Sequence, residues 1–174
     1  DANVRDVTAI CADLEGIPLA IELAASRARI LQPAELVRKL GQKFQLLRSA
    51  RQDTARRQQT LSGAIEWSYE MLSGWERAAF RQASVFRGGF TPEAAAAVLD
   101  LATEPGAPAG DAAADSLCGK SLLRGFEGAG GRRFGFYRPL LEFAERKLVE
   151  VEGAAGRAAA EARQEEPVGP EHRG

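Results

Sequence analysis

A glycine and a proline, Gly16 and Pro18, constrain the fold of this 174-residue chain more than any other pair of residues. Glycine ends helices readily because it adopts left-handed backbone conformations, and proline suits a first helical turn, where its missing N–H costs nothing. The segment 18–31 that follows is apolar on most sides and predicts a buried helix. The segment 3–15 before it predicts an amphipathic helix, with apolar residues three and four apart at Val4, Val7, Ile10, Cys11 and Leu14.

A third helix is predicted to begin at Pro33, and residues 1–47 therefore predict a small helical domain. Residues 48–59 change character, because four arginines stand among Gln, Asp, Ser and Thr, and we expect a basic linker there. These arginines are either solvated charge or contacts to a phosphate or to an acidic surface.

Residues 60–152 predict a second domain with strong local start signals. Ser73 and Glu76 have the spacing of a capping box, and residues 91–93 (Thr-Pro-Glu) predict another helix start. A β-hairpin with a glycine-rich tip is predicted over 122–137. Helices, a hairpin and a last helix follow one another in the order of a winged-helix domain. The predicted fold class is all-α with one small β-hairpin, as a helical bundle followed by a winged helix.

The last part of the chain, residues 153–174, contains mainly Ala, Glu, Arg, Gly and Pro. Val168 is its one large apolar residue. Such a segment has little apolar surface to bury, so we expect a disordered tail, of which about residues 158–164 could extend or form a nascent helix.

Composition and charge exclude several functions. The formal net charge of −1 gives no general attraction to nucleic acid or acidic membranes. The only histidine, His172, lies in the predicted tail, so no Ser/His/Asp or Cys/His catalytic set exists. Cys11 and Cys118 lie far apart within apolar helical patterns and are interpreted as reduced core thiols, not as metal ligands. We expect no enzyme activity and no metal site in this chain.

No signal peptide and no apolar run long enough to span a bilayer are visible, and a cytoplasmic location is the expectation that follows. The chain begins at Asp1 close to a helix, which suggests a piece of a longer protein.

Several stretches resemble bacterial STAND-type signalling ATPases, relatives of the NB-ARC and AfsR-like regulators. Residues 16–27, GIPLAIELAASR, resemble the family's "GLPLAIELAA-R". Residues 59–77, 80–95 and 120–123 are similar to further family stretches, in the same order. The resemblance covers about residues 7–150.

The resemblance implies an ATPase switch of which this chain would be the second and third domains. In the family a P-loop domain comes first and holds ATP or ADP with Mg²⁺, then a helical Gly-x-Pro domain, then a winged helix. The family's proline lies near adenine and ribose, which implies Pro18 as a nucleotide contact, with Gly16 allowing close approach. A second contact near the start of the last helix falls at Arg138, where relatives carry an acid.

The same resemblance implies partners. The upstream nucleotide-binding domain would bind this chain while ADP is clamped. Exchange for ATP would let the winged helix swing out and homo-oligomerise, with transcriptional control as the output.

Two other classes of function compete with this one. A winged helix can read DNA directly, as a segment of a transcription factor. Its reading helix, expected at about 112–121, carries one basic residue, Lys120, and the acids Asp111 and Asp115 stand on or beside it, which disfavours DNA contact. A plain interaction scaffold would share the helices without needing the Gly-x-Pro motif.

Overall fold

The structure, a computed structural model, describes residues 2–50, 56–128 and 130–165, with side chains described for 3–42, 57–128 and 130–165. Its contacts divide the chain into two compact units on either side of the Leu72–Ser73 bond. Both units are mainly helical, and the described part of the second contains one antiparallel hairpin. The predicted class, all-α with one small hairpin, is confirmed.

The described residues of the first unit form four helices, which are α1 (Ala2–Asp13), α2 (Pro18–Arg27), α3 (Pro33–Ala50) and α4 (Arg56–Glu70). Helix α1 packs on α3, and α4 packs on both α2 and α3. They share one apolar core, formed by Ile10, Leu14, Ala20, Ala24, Leu36, Leu40, Ala64 and Trp67.

Helix α4 packs on α2 and α3, whereas the sequence predicts a domain boundary between residues 59 and 60. Ala64 and Trp67 join the first core, so the unit extends to Leu72 and not to residue 47. An apolar stripe shows that a helix is buried but not which neighbour buries it. Of the predicted linker 48–59, residues 48–50 belong to α3 and residues 56–59 to α4, and residues 51–55 lie outside the described residues.

The buried face of α1 is narrower than its apolar pattern predicted. Ile10 and Leu14 are buried, but Val4 and Val7 are 62% and 51% exposed. Only one arc of the helix contacts α3, so apolar spacing overestimated the inward face at its first turns.

The second unit has the element order expected of a winged helix. Its elements are α5 (Gly74–Gln82), a 3₁₀ turn (Ala83–Val85), α6 (Pro92–Val98), α7 (Gly110–Gly119), β1 (Arg124–Gly128), β2 (Gly131–Gly135) and α8 (Arg138–Glu165). Strands β1 and β2 pair with Phe126 opposite Arg133. Phe90, ahead of α6, adds a bridge, because its N–H donates to the Phe134 carbonyl at 2.9 Å and its carbonyl accepts from the Phe134 N–H at 2.7 Å.

Both predicted helix starts in this unit are confirmed. The Ser73 hydroxyl accepts from the Glu76 N–H while the Glu76 carboxylate accepts from the Ser73 N–H, which is the predicted capping box. Thr91 accepts from the Ala94 N–H at 3.2 Å, with Pro92 in the first turn of α6.

Helix α8 continues to Glu165, so 153–165 is not the disordered segment that composition predicted. The backbone leaves helical geometry at Gly153 and becomes helical again after it. Ala160 is fully buried, which a small side chain can achieve without the large apolar residues the prediction required. Residues 166–174 of the predicted tail, including His172, lie outside the described residues.

Phe80 belongs to the buried apolar residues of the second unit, which we call the second core. It is fully buried, and its ring meets Phe136 edge to face with centroids 5.4 Å apart. The ring centroid of Phe143, in α8, lies 6.3 Å from that of Phe80.

Phe80→Ala should therefore lower the free energy of unfolding of the second unit by about 3–5 kcal/mol, because it leaves a cavity beside Phe136 and Phe143. Urea denaturation measures this, and amide exchange of α5 assigns the transition to that unit. Val149→Ala is the control, since Val149 is 45% exposed and should cost no more than about 0.5 kcal/mol. Equal effects of the two substitutions would contradict the packing described.

Candidate functional site

The Gly-x-Pro corner has the helix stop and the helix start predicted from its sequence. Glu15 and Gly16 have φ of 53° and 65°, and the Gly16 N–H donates to the Cys11 carbonyl at 3.1 Å. Ile17 then extends the chain, and Pro18 takes the first position of α2. Two consecutive left-handed residues turn the chain sharply enough for α2 to begin at once.

The corner is open on its outer side. Gly16 and Pro18 are exposed, and a Cβ placed at Gly16 would meet no atom within 4 Å. The glycine is thus required by its φ and not by a close neighbour within this chain. The exposed proline ring offers a rigid apolar surface at a helix start.

Arg138 belongs to the second unit and stands at the start of α8. Its side chain is 89% exposed, and its Nε donates to the Glu142 carboxylate at 2.9 Å. This hydrogen bond raises the pKa of Arg138, helped by the attraction between the two charges. Arg138 lies in the second unit, whereas Gly16 and Pro18 lie in the first. The exposed pair of Arg138 and Glu142, one helical turn apart, stabilises the fold little.

A buried polar site in the second unit surrounds Glu76. We name Ser73, Glu76, Ser116 and Lys120 the Glu76 cluster. The carboxylate is 3% exposed, and one of its oxygens accepts from the Ser73 N–H at 3.0 Å and the Ser73 hydroxyl at 3.1 Å. The other oxygen accepts from the Ser116 hydroxyl at 2.8 Å and from the Lys120 ammonium. The cluster therefore ties the start of α5 to the end of α7.

The cluster holds its carboxylate ionised. Burial alone raises the pKa of Glu76, but the hydrogen bonds from Lys120, the Ser73 N–H and Ser116 outweigh burial. The resulting pKa lies below the ordinary value of 4.5. The sequence predicts the capping box but not the contacts of Ser116 and Lys120, which lie 40 and 44 positions after Glu76.

Helix α7, the reading helix of the DNA alternative, offers an acidic outer face. Asp111, Ala112 and Asp115 are exposed, while Ala113, Ala114 and Leu117 face the core. Lys120 is the basic residue predicted there, and it binds Glu76.

The arginines of the hairpin also make contacts within the unit. Arg132 pairs with Asp115 at 2.6 Å, and Arg133 donates to the Gly89 carbonyl at 2.9 Å. Arg124 is exposed and stands over the rings of Phe126 and Tyr137, at 4.9 and 5.8 Å from their centroids.

Arg27, the last residue of α2, is a charged residue that the fold buries. It is 1% exposed, and a terminal nitrogen donates to the Ser68 carbonyl at 2.8 Å, which joins α2 to α4. A guanidinium so deeply buried is rare and needs hydrogen-bond partners. Its place in the last turn of the apolar helix α2 is the one signal that the sequence offers.

Cys11 and Cys118 are both free and partly buried. No group of three or more His, Cys, Asp or Glu suited to a metal occurs among the described residues. Over the same residues, the helices are too short or too polar to cross a membrane.

Curated mycobacterial proteins match about half of the chain. An uncharacterized protein of Mycobacterium tuberculosis is 45% identical over 89 residues, which are 51% of this chain and 23% of that protein. A second protein of that organism, named "Putative HTH-type transcriptional regulator", is 43% identical over 96 residues, 55% of this chain and 11% of its own length. Mycobacterium bovis has counterparts of both with the same identities. The chain thus spans about a quarter and about a tenth of these relatives. No family model and no solved structure matches.

Glu76→Gln should lower the free energy of unfolding of the second unit by about 1–3 kcal/mol at pH 7, because it removes the charge that Lys120 and the serines bind. Since folding lowers the pKa, the stabilisation is complete above the ordinary value of 4.5 and is lost as the pH falls through the folded value. The difference between wild type and variant should be constant from pH 7 to about 5 and shrink below 4.5.

Chemical denaturation at a series of pH values measures this difference. Glu142→Gln is the matched control, because its carboxylate serves an exposed pair on α8 and should change stability by less than about 1 kcal/mol. A difference that grows as the pH falls would refute an ionised, hydrogen-bonded Glu76.

Proposed function

We propose that this chain is a regulatory segment of a longer transcriptional regulator. The observation that carries the proposal is the 43% identity over 96 residues with a protein named as an HTH-type transcriptional regulator. The match covers 11% of that protein, so we propose a role for this segment and not the activity of the whole regulator.

Direct DNA binding by the second unit is one form of this proposal. The name of the second relative contains "HTH", the abbreviation of helix-turn-helix, and α5–α8 have the order of a winged helix. Both observations favour DNA binding. In that mode α7 would enter the major groove and the β1–β2 hairpin would lie along the backbone.

The charges on α7 favour a protein-facing role instead. Recognition of guanine and adenine edges needs Arg, Lys, Asn or Gln, but the exposed residues include Asp111, Ala112 and Asp115. The Lys120 ammonium serves the Glu76 cluster. We therefore propose that the second unit contacts protein, and that another part of the regulator reads DNA.

A nucleotide-dependent switch is the finer mechanism we propose, supported by the resemblance to STAND-type ATPases. An upstream P-loop domain would hold ATP or ADP with Mg²⁺, and Gly16 and Pro18 would form an apolar wall beside the base and ribose. Their exposure leaves room for such contact. Arg138 would need to exchange its Glu142 partner for a phosphate. Nucleotide exchange would release the second unit for homo-oligomerisation, by differential contacts in the two states.

The isolated chain should bind mixed-sequence duplex DNA more weakly than about 10⁻⁴ M at physiological salt, because α7 contains no basic residue and its exposed Asp111 repels phosphates. Fluorescence anisotropy with labelled duplexes measures the affinity over a series of salt concentrations. Binding near 10⁻⁶ M that falls steeply with salt and is lost in an Arg124→Ala, Arg132→Ala double variant would establish the DNA-binding alternative.

Pro18→Gly in the regulator that contains this chain should speed ADP release, because a flexible glycine replaces the rigid wall beside the nucleotide. Stopped-flow with a fluorescent ADP analogue measures the off-rate. Pro33→Gly is the matched control, since Pro33 also begins a helix but lies outside the corner. Equal off-rates in all three proteins would mean that Pro18 only starts α2.

The isolated chain should bind ADP very weakly, because the proposed site is completed by another domain. Micromolar binding of ADP to the isolated chain by calorimetry would contradict this.

A further inference from the structure

Helix α8 is divided by a single residue with a special backbone. Gly153 has φ 69° and ψ −174°, a combination that is essentially restricted to glycine. A Cβ at this position would meet no atom within 4 Å, so the restriction comes from the backbone and not from crowding. Rotation at this one residue can redirect everything that follows it.

The two halves of α8 are held in different ways. The first half buries Leu140, Phe143, Ala144 and Leu148 in the second core. Of the described residues 154–165, only Ala160 is buried. A helix of about twelve residues is marginal in water by itself, so the helicity of 154–165 depends on its docking.

Docking relies on a polar contact at the far end of the segment. The Arg163 Nε donates to the Val98 carbonyl at 2.8 Å, and a terminal nitrogen donates to the Gln82 side-chain carbonyl at 3.3 Å. Val98 ends α6, where carbonyls lack partners within their own helix. Gln82 is itself fixed by two hydrogen bonds to the backbone of Asp100, at 2.8 and 2.9 Å. Arg163 therefore binds acceptors that the unit holds in position.

A second contact fixes the chain just before the hinge. The Arg81 Nε donates to the Glu152 carboxylate at 2.8 Å, and both side chains are largely buried. This pair ends the firmly held part of α8 one residue before Gly153.

We propose that residues 154–165 are a strap that docks on and releases from the second unit, with Gly153 as its hinge and Arg163 as its latch. Release leaves α5, α6, α7 and the first half of α8 folded. It frees the Val98 carbonyl and opens the surface where Arg157 and Glu161 now lie beside Val85 and Leu148. Order–disorder of such a segment is an established form of protein switch. The proposal is independent of nucleotide or DNA binding.

Amide hydrogen exchange of the whole chain tests the strap. Arg163→Ala should speed the exchange of amides in 156–165 about tenfold or more, because two hydrogen bonds from a charged donor are lost. Exchange in α5 and α7 should not change. Arg138→Ala is the matched control, since it removes an arginine of the same helix whose partner is one turn away, and it should leave 156–165 as in wild type.

A second substitution tests the hinge separately. Gly153→Ala should also speed exchange in 156–165, because alanine disfavours the backbone angles that docking requires. Gly119→Ala, where a Cβ has open space and φ is not left-handed, is its control. Unchanged exchange in Arg163→Ala would overturn the latch, and unchanged exchange in Gly153→Ala would overturn the hinge. Uniform acceleration throughout the second unit would show that 154–165 belongs to the cooperative core and is not a strap.

Discussion

The second unit depends on the hydrogen bonds that the buried carboxylate of Glu76 accepts. Its two oxygens accept hydrogen bonds from Ser73, Ser116 and Lys120, so one side chain caps α5 and holds the end of α7. A buried carboxylate is costly unless it is fully paired, and these donors meet that cost. The same arrangement engages the Lys120 ammonium inside the unit. Because Lys120 binds Glu76, it does not offset the exposed acids of α7.

Much of the local structure could be predicted from the sequence, because its signals are short-range. The Gly16–Pro18 corner, the capping box at Ser73 and the Thr91 helix start each depend on residues within three or four positions. The hairpin was predicted for the same reason, with β1 and β2 flanking the glycine-rich tip. The all-α class with one hairpin followed from these elements.

The long-range features could not be predicted. The burial of Arg27 against Ser68 and the joining of Lys120 to Glu76 link residues 41 and 44 positions apart. The packing of α4 on the first core likewise joins separate helices. Periodicity reports that a face is buried but not by which partner. The docked segment 154–165 was missed because composition overlooks a buried alanine and an arginine that reaches a helix end. Of the candidate site, the backbone geometry of the corner was predictable, and its ligand remains a proposal.

If the second unit contacts protein and another part of the regulator reads DNA, removing an exposed acid from α7 should leave DNA binding unchanged. Asp111→Asn in the intact regulator bound to its DNA tests this, and Asp115 is kept because it pairs with Arg132. With α7 facing protein, the affinity for DNA and its salt dependence should equal those of the wild type. With α7 on DNA, the loss of a negative charge near phosphates should tighten binding and steepen its salt dependence, which would refute a protein-facing α7.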